Sequence, residues 1–470
     1  MMARFKEQRG VAMIVALMVA FVVLILATGV VTLALHNSEQ SAFDRKRLLA
    51  INAAEAGLDY YYNYLESFTQ IRDLETDPPL QTLGSAPDTV TFAVTARFFR
   101  QGASISPPFS PQSPPDGVLI HSEGKVGRAV RVMESYVRLQ GVYGSFKGAI
   151  ISNNPPLLGN SFRLAGNPDD GDIYVLNGNL SIPNGTNGFI GGSLFAPRGT
   201  ISIGGALDLE GSAWANGSVT VNHSQAFVKN DLKSATSSVV IQHIKQLRGA
   251  QYYCPPGTAT SDFPSYPTCP APVPSIEFPE VLYDPAIPAT QQLWKDRGFT
   301  NFLAFQDCLS AQKYVEATFN NSETANTVVY IAPPTPCIYT TTNNPTINLK
   351  ANLAIVTTGG INLSQQSTWD GGGGKNLFLV STWPATDCGA GTRNITVSQN
   401  TNFRNFALIG VYTPCALNMQ NQNAFAGQLI GGTVTVGQNF DMSFKPVVFP
   451  GANITQFAEN IAYIREVARG

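Results

Sequence analysis

A long apolar run near the amino terminus constrains this chain more than any other feature. Residues 11–35 form a stretch of 25 without a charged side chain. At about 1.5 Å per residue, a helix of that length exceeds the roughly 30 Å hydrocarbon thickness of a membrane. The apolar part of a removable secretion signal is only about 7 to 15 residues long. The run therefore predicts a membrane-crossing helix that is retained rather than a discarded signal.

Flanking charges set the expected orientation of this helix. The leader at 1–10 carries Arg4, Lys6 and Arg9 against Glu7. Positive residues favour the cytoplasmic side, so the amino end is expected inside and the remainder outside. Basic residues at 45–47 oppose this orientation, whereas six cysteines downstream agree with export into an oxidising compartment.

The helical pattern continues beyond the apolar run. Apolar residues recur every three or four positions at Leu48, Ile51, Ala54, Leu58, Tyr61 and Leu65. Proline is absent until Pro78, so one long helix over 11–67 is predicted, with 11–35 in the membrane. The segments 89–99, 118–124 and 126–139 alternate apolar and polar residues, which predicts a small antiparallel sheet within 68–145 that covers the helical stripe.

Two motifs in this region resemble PilX-type minor type IV pilins. The chain has "QRGVAMIVALM" and "AINAAEAGLDYYYNYL", where the family pattern reads "QRGVALIVAL" and later "AFQAAEAAL". The resemblance spans residues 7–66. It implies that prepilin peptidase cleaves after Gly10, that Val11 becomes the N-methylated mature terminus, and that the helix packs with other major and minor pilins. It also implies a bacterial inner-membrane location before assembly and a cell-surface pilus afterwards.

One position departs from the common pilin pattern. Most pilins have glutamate at the fifth mature position, where this chain has Val15. A carboxylate in an apolar helix is costly unless it is paired, and the pilin partner is the terminal amine of a neighbouring subunit. PilX-like and type II secretion K-like minor pilins also lack this glutamate and are associated with the filament tip. The resemblance therefore implies a tip position and pilus initiation.

Residues 146–450 have a different sequence pattern. Short apolar clusters alternate with Gly and Asn, as in "GDIYVLNGNLSIPNGTNGFIGGSLFAPRGTISIGGALDLEGSAWANGSVTV". Only 13% of all residues are charged, while Gly (42) and Pro (31) are abundant. This pattern is typical of short strands with tight corners and predicts a β-solenoid. The pattern lapses over about 226–325, a Pro- and Cys-rich excursion with one short helix in "PATQQLWKDRGFTNFLAF", and then resumes.

The expected fold class is therefore α+β. A pilin-like amino-terminal region, with a long helix and a small antiparallel sheet, is joined to a large mostly-β extension. In architecture this is similar to the large ComZ-type competence pilins of type IV pilus DNA-uptake systems. Residues 451–470 are expected to return to the base as a short helix or a last strand.

The six cysteines predict disulfides. Cys254, Cys269, Cys308, Cys337, Cys388 and Cys415 are even in number and lack the CxxC spacing of a zinc site. Pairing in sequence order is favoured because each such pair brackets one Pro- or Asn-rich excursion. Buried free thiols are the alternative.

Candidate ligand contacts are few. Lysines, an arginine and tyrosines within 229–253 form a candidate nucleic-acid contact that comprises Lys229, Lys233, Lys245, Arg248, Tyr252 and Tyr253. A solvated surface is the simpler interpretation, because residues 148–450 contain 14 Lys and Arg against 17 Asp and Glu, which gives no net basic charge. Asp169, Asp170 and Asp172 are a weak calcium candidate without the spacing of a calcium loop.

Catalytic patterns are weak. His36, His121, His223 and His243 are scattered, and Asp208 and Glu210 lie one strand step apart without an obvious basic companion. We therefore expect no enzymatic activity and no cofactor. The resemblance implies a minor pilin that acts in pilus assembly, and we expect it to display a module for extracellular DNA, a glycan or a surface protein. The alternative is a membrane-anchored adhesin or a β-helix carbohydrate-active enzyme that is not built into a pilus.

Overall fold

We describe the fold from a computed structural model. It covers residues 4–66, 74, 76, 78, 80–83, 89–100, 102–107, 109, 115–143, 148–166, 171–260, 262–273, 276, 278–286, 288–363, 366–382, 388–420, 424–449 and 454–467. The side chains of residues 4–12, 66, 140–143, 289, 321 and 454–460 are not described.

A single helix forms the amino-terminal region. Helix α1 extends over Arg4–Glu66. Its span Met13–Leu65 includes a stretch apolar and long enough to cross a membrane, and that stretch has no buried residues. The predicted long apolar helix is thus present, and its first half has nothing packed against it in the described part of the chain.

The second half of α1 packs on an antiparallel sheet, as the alternating segments predict. The first strands are β1 (Gln81–Leu83), β2 (Val90–Arg100), β3 (Ala103–Ile105), β4 (Gly117–Val126) and β5 (Ala129–Tyr143). A late strand, described below, completes the sheet beside β5. Leu58, Tyr61 and Leu65 of the helix are buried against this sheet. Leu48, expected in the packed stripe, is instead 59% exposed because the contact with the sheet begins at Leu49.

Small residues allow α1 to lie close to β4. A Cβ atom at Gly124 would collide with the backbone of Ala50 and Ala54. A Cβ atom at Gly57 would collide with the Ser122 hydroxyl. The "AINAAEAGL" motif therefore has a local explanation, since only small side chains permit this helix-to-sheet distance.

The large extension begins with seventeen short strands. These are β6 (Gly148–Ser152), β7 (Leu157–Leu158), β8 (Ser161–Ala165), β9 (Asp172–Val175), β10 (Leu180–Ile182), β11 (Asn187–Ile190), β12 (Leu194–Ala196), β13 (Ile201–Ile203), β14 (Ala206–Leu209), β15 (Ala213–Ala215), β16 (Val219–Asn222), β17 (Phe227–Val228), β18 (Leu232–Ser234), β19 (Val239–His243), β20 (Gln246–Leu247), β21 (Gln251–Tyr252) and β22 (Ser265–Tyr266).

The second part of the extension contains short helices and longer strands. These are α2 (Pro288–Lys295), β23 (Asn301–Phe305), α3 (Cys308–Lys313), a π-helix (Tyr314–Phe319), α4 (Asn320–Ser322), β24 (Thr327–Ile331), β25 (Ile338–Thr340), β26 (Thr346–Asn348), β27 (Leu353–Thr357), β28 (Gly360–Leu363), β29 (Ser367–Ser381), a 3-10 helix (Cys388–Ala390), β30 (Ile395–Val397), β31 (Thr401–Met419), β32 (Phe425–Val436) and β33 (Phe440–Phe444). Strand β34 (Ile454–Val467) then pairs antiparallel with β5. The short helix predicted within 288–305 is α2, and the carboxyl-terminal return is a strand.

Strands of the extension stack in parallel, each on the strand one circuit of the chain away. In the first part, β11 pairs with β14, β12 with β15 and β13 with β16. Side-chain to backbone hydrogen bonds recur at a separation of 19 residues, which is the length of one circuit here. The three-residue strands of the first part bury their first and third residues, such as Leu180 and Ile182 of β10, inside the stack. Three inward-facing strands per circuit therefore build one continuous core.

One ladder runs through both parts of the extension. Its thirteen strands follow the order β22, β21, β18, β15, β12, β9, β6, β32, β31, β29, β27, β24 and β23, with every neighbour parallel. With about 4.8 Å between strands, it is roughly 60 Å long. The two parts meet where β32 pairs with β6, in the middle of the ladder. The chain enters at this seam and leaves from β33, which pairs with β8 beside it.

A polar side-chain ladder fixes one corner of the circuits. Asp172 Oδ1 accepts from the Ser193 amide at 2.7 Å, and Ser193 Oγ accepts from the Ser212 amide at 3.0 Å. Ser212 Oγ accepts from the Asp231 amide, whose Oδ1 accepts from Ala250. Each circuit thus satisfies a backbone N–H of the next one. The ladder explains why short polar residues recur at these corners.

The Pro-rich excursion is shorter than the sequence predicts. Parallel pairing continues past residue 226 as far as β21 and β22, because two-residue strands such as Gln246–Leu247 still place one side chain in the core. The described residues that remain, within 267–286, are called the strap here. Its Val281 and Tyr283 are buried on the outer face of the ladder. Tyr412 donates its hydroxyl to the carbonyl of Pro279 at 2.6 Å.

Three disulfides tie the extension. They join Cys254 to Cys269, Cys308 to Cys337 and Cys388 to Cys415, which is the pairing favoured by sequence order. Cys308 begins α3, whose Ala311, together with Val315 and Phe319 of the following π-helix, closes the core at the β23 end. A disulfide therefore anchors each end of the ladder, and the third lies within it.

Candidate binding surfaces

The amino-terminal helix presents an apolar surface. Gly10 and Val11, the predicted processing residues, lie in α1, and their side chains are outside the described set. Val15, at the position where pilin glutamate is expected, is 53% exposed. Residues such as Phe21 (61%) and Leu24 (61%) are equally exposed. So large an apolar surface requires lipid or other helices around it.

The predicted nucleic-acid contact is divided between two ladders. Lys233 lies on β18 and Tyr252 on β21, in register with one another. Lys229 and Arg248 follow β17 and β20, which pair with each other in a second parallel ladder that also contains β14, and Lys245 precedes β20. Tyr253 is partly buried against the interior core. The six residues are close along the chain and are distributed over strands of two ladders.

Carboxylates accompany these lysines. Lys229 forms an ion pair with Glu210, and Lys233 Nζ lies 3.1 Å from Asp231. Burial and the charge of Glu210 raise the pKa of Asp208, while the charges of Lys245 and Lys229 act in the opposite direction. Asp208 and Glu210 therefore do have basic companions, supplied by the next circuit. Nucleic-acid contact by this cluster stays a prediction.

An outward column of aromatic residues runs along the main ladder. The residues in register are Tyr174, Phe195, Trp214, Lys233, Tyr252 and Tyr266. The rings of Tyr174 and Phe195 stack with centroids 4.5 Å apart, and those of Tyr252 and Tyr266 stack at 5.2 Å. Trp214 Nε1 donates to the carbonyl of Ala271 at 3.1 Å, so the strap crosses the column. Part of this aromatic column is therefore in contact with the strap, the chain's own Pro-rich segment.

The weak calcium candidate falls mainly outside the described residues. Asp169 and Asp170 are not among them. Asp172 is buried, and its carboxylate belongs to the corner ladder through Ser193. Within the part of the chain that the structure describes, His, Cys, Asp and Glu do not gather in threes that could hold a metal.

A buried carboxylate in the amino-terminal sheet was not predicted. Glu134 on β5 accepts from Arg465 at 2.6 Å and from the Tyr463 hydroxyl at 3.0 Å, both on β34. His121 Nε2 lies 2.5 Å from its other oxygen. Burial would raise the pKa of Glu134, but these hydrogen bonds outweigh burial and lower it. This cluster fastens β34 to the sheet, and only the register between distant strands reveals it.

No protein-family model matches the chain. No curated protein matches it either. Among solved structures, the competence-associated pilin ComZ from Thermus thermophilus aligns over 90% of this chain and 97% of its own, with 12% identity and a TM-score of 0.28.

Proposed function

We propose that this chain is a minor type IV pilin that carries a β-solenoid as its extracellular module. One observation carries the proposal: α1 is continuous, with an exposed apolar first half and a second half that packs on an antiparallel sheet. Such a helix suits a subunit that lies first in a membrane and then among helices of neighbouring subunits, because both environments cover the same apolar surface.

The leader supports processing before assembly. Residues 7–18 have the PilX-like pattern, in which prepilin peptidase would cleave after Gly10 and Val11 would be methylated. Val15 in place of glutamate favours a position at the tip over repeated incorporation along the shaft, since the apolar stretch 11–35 of the helix has no carboxylate to pair with a neighbour's terminal amine. The subunit would reside in the inner membrane and then in the surface pilus.

The module supports a binding role. Its parallel circuits with a common core are the arrangement expected of a β-solenoid, which offers long outer faces for ligands. We propose that it acts by adhesion or DNA uptake rather than by catalysis. Of its best catalytic candidates, Glu210 forms an ion pair with Lys229, and the charges of Lys245 and Lys229 favour the ionised form of Asp208.

Mass spectrometry of the mature amino terminus tests the proposal. The protein is expressed in a bacterium with a working pilus, and N-methyl-Val11 is the expected terminus. Gly10→Val should leave the leader attached, whereas Gly29→Ala, at a helix glycine with open space for a Cβ, should be processed normally. An intact Met1 in the unaltered protein would instead support the anchored adhesin. Label along the whole fibre, rather than at its end, would contradict the tip position.

A further inference from the structure

A polar cleft opens on the outer surface of the module, which is the large extension described above, where its two parts meet. Its volume is about 320 Å³. Arg163 and Asp441 line it from β8 and β33, which pair across the seam. Arg404 and Asn405 line it from β31. The sequence does not indicate this site, because its residues come from opposite ends of the module.

The cleft exists because neighbouring strands separate there. Residues 401–404 pair with β29, and Phe425 pairs with Met442 of β33. The pairing between β31 and β32 starts only at Ile409 and Gly427, so the described backbone is split beside the cleft. The rings of Phe403 and Phe425 lie beneath this gap between β31 and β32, with centroids 6.3 Å apart. The floor is therefore apolar and buried, and the walls are polar.

The polar walls are held in place. Arg163 Nη1 lies 3.5 Å from Asp441 Oδ1, and its guanidinium carbon lies 5.4 Å from the Phe189 ring centre. Asn405 has a left-handed backbone (φ 55°) and donates to both oxygens of Asp370, at 3.1 and 3.2 Å. The Arg163 side chain is nonetheless 58% exposed, so part of its guanidinium faces the open cleft.

We propose that this cleft binds an acidic saccharide, that is, a sugar with one carboxylate among neutral hydroxyls. Guanidinium groups bind carboxylates through paired hydrogen bonds, and Arg163 and Arg404 present two of them. Asp441, Asn405 and Ser443 supply acceptors and donors for hydroxyls. The partly buried Phe406 gives an apolar edge for a sugar ring.

Charge distinguishes this ligand from a nucleic acid. Asp441 beside Arg163 would repel closely spaced phosphates, whereas it can accept a hydrogen bond from a sugar hydroxyl. The module has 14 basic and 17 acidic residues over 148–450, so it lacks the net positive charge on which phosphate binding depends. A single carboxylate per sugar suits a cleft with mixed charges.

The inference rests on the proposed function, since it names the ligand class of the displayed module, yet its test is separate. Full-length protein in detergent is titrated with trigalacturonate, neutral galactotriose and a thymidine trinucleotide by calorimetry. Trigalacturonate should bind, and Arg163→Gln or Arg404→Gln should weaken it by about tenfold or more. Arg198→Gln, an exposed arginine outside the cleft, should leave the affinity unchanged.

Further variants and controls distinguish loss of saccharide binding from loss of folding. Unchanged melting temperatures would show that the cleft variants fold, and Arg163→Lys provides a milder change that keeps the charge and should give an intermediate affinity. Absence of trigalacturonate binding, equal binding of the neutral sugar, preference for the trinucleotide, or insensitivity to both arginine variants would overturn the proposal. Processing at Val11 is independent of all these results, so either proposal can fail without the other.

Discussion

At the residue scale, Glu134 makes the stability of the amino-terminal sheet depend on pH. Its carboxylate joins β5 to β34 through Arg465 and Tyr463. Because folding lowers the pKa of Glu134, the carboxylate stabilises the folded state above its ordinary value of 4.5, and this contribution is lost as pH falls through the lowered value. Glu134→Gln should lower the free energy of unfolding by about 2 kcal/mol at neutral pH. Urea unfolding at a series of pH values should show that the variant loses less stability than the unaltered protein as the pH becomes acidic.

A neighbouring carboxylate provides the control for Glu134. Glu466 lies on β34, next to Arg465, and pairs with Arg131 at 3.2 Å, but its side chain is 45% exposed. Glu466→Gln should therefore change the free energy of unfolding by less than about 0.5 kcal/mol. Equal effects of the two substitutions would show that burial of Glu134 is not what matters.

Asp231 tests the corner ladder of the module. Its Oδ1 accepts from the Ala250 amide at 3.0 Å. Asp231→Ala should leave that N–H without its acceptor and destabilise the module by about 1 to 2 kcal/mol in chemical denaturation. Asp231→Asn keeps an acceptor oxygen and should retain most of the stability. Similar losses in both variants would instead assign the effect to the ion pair with Lys233.

At the element scale, the disulfides have separable roles. Replacing Cys308 and Cys337 by serine opens a loop of 29 residues and should lower stability by about 3 kcal/mol. It also loosens α3 over the end strand β23, whose unpaired edge would then promote association. Light scattering during heating should therefore rise.

The internal disulfide is the matched control. Cys388 and Cys415 enclose a loop of similar size, at 27 residues, but lie within the ladder. Their replacement by serine should cost a similar free energy without increased scattering, because no strand edge is uncovered. Equal aggregation of the two double variants would contradict the capping role of α3.

Elements with a local signal could be predicted from the sequence, and long-range pairings could not. The alternation in 89–99 predicts β2 to within one residue at each end, because one face packs on α1. By contrast, Gln428 on β32 donates to the carbonyl of Gly148, 280 residues away, and no local pattern specifies that partner. The cleft forms only where these distant strands meet, so the sequence did not identify Arg163 and Arg404 as site residues. The disulfides, in contrast, were predicted, because pairing in sequence order was already favoured.

At the scale of the whole molecule, both connections to the amino-terminal sheet leave the module at its seam. The sheet supplies β5 before the module and β34 after it, and these strands pair directly. The two parts of the module continue one ladder across the seam and share one core. At the seam, the end strand of each part is covered by the end strand of the other part. Each part therefore depends on the other for burial of its last strands.

This dependence predicts that the module unfolds as one cooperative unit. Gln428 is fully buried at the seam, where it donates to Gly148 at 2.6 Å and accepts from the Val447 amide at 3.2 Å. Gln428→Ala should remove both bonds and lower the free energy of unfolding by about 2 to 3 kcal/mol. Gln438→Ala, at an exposed position after the same strand, should have little effect. Calorimetry should show one transition for the module, which the seam variant shifts to lower temperature. Two resolved transitions in the unaltered module would mean that its parts fold separately and that the seam adds little stability.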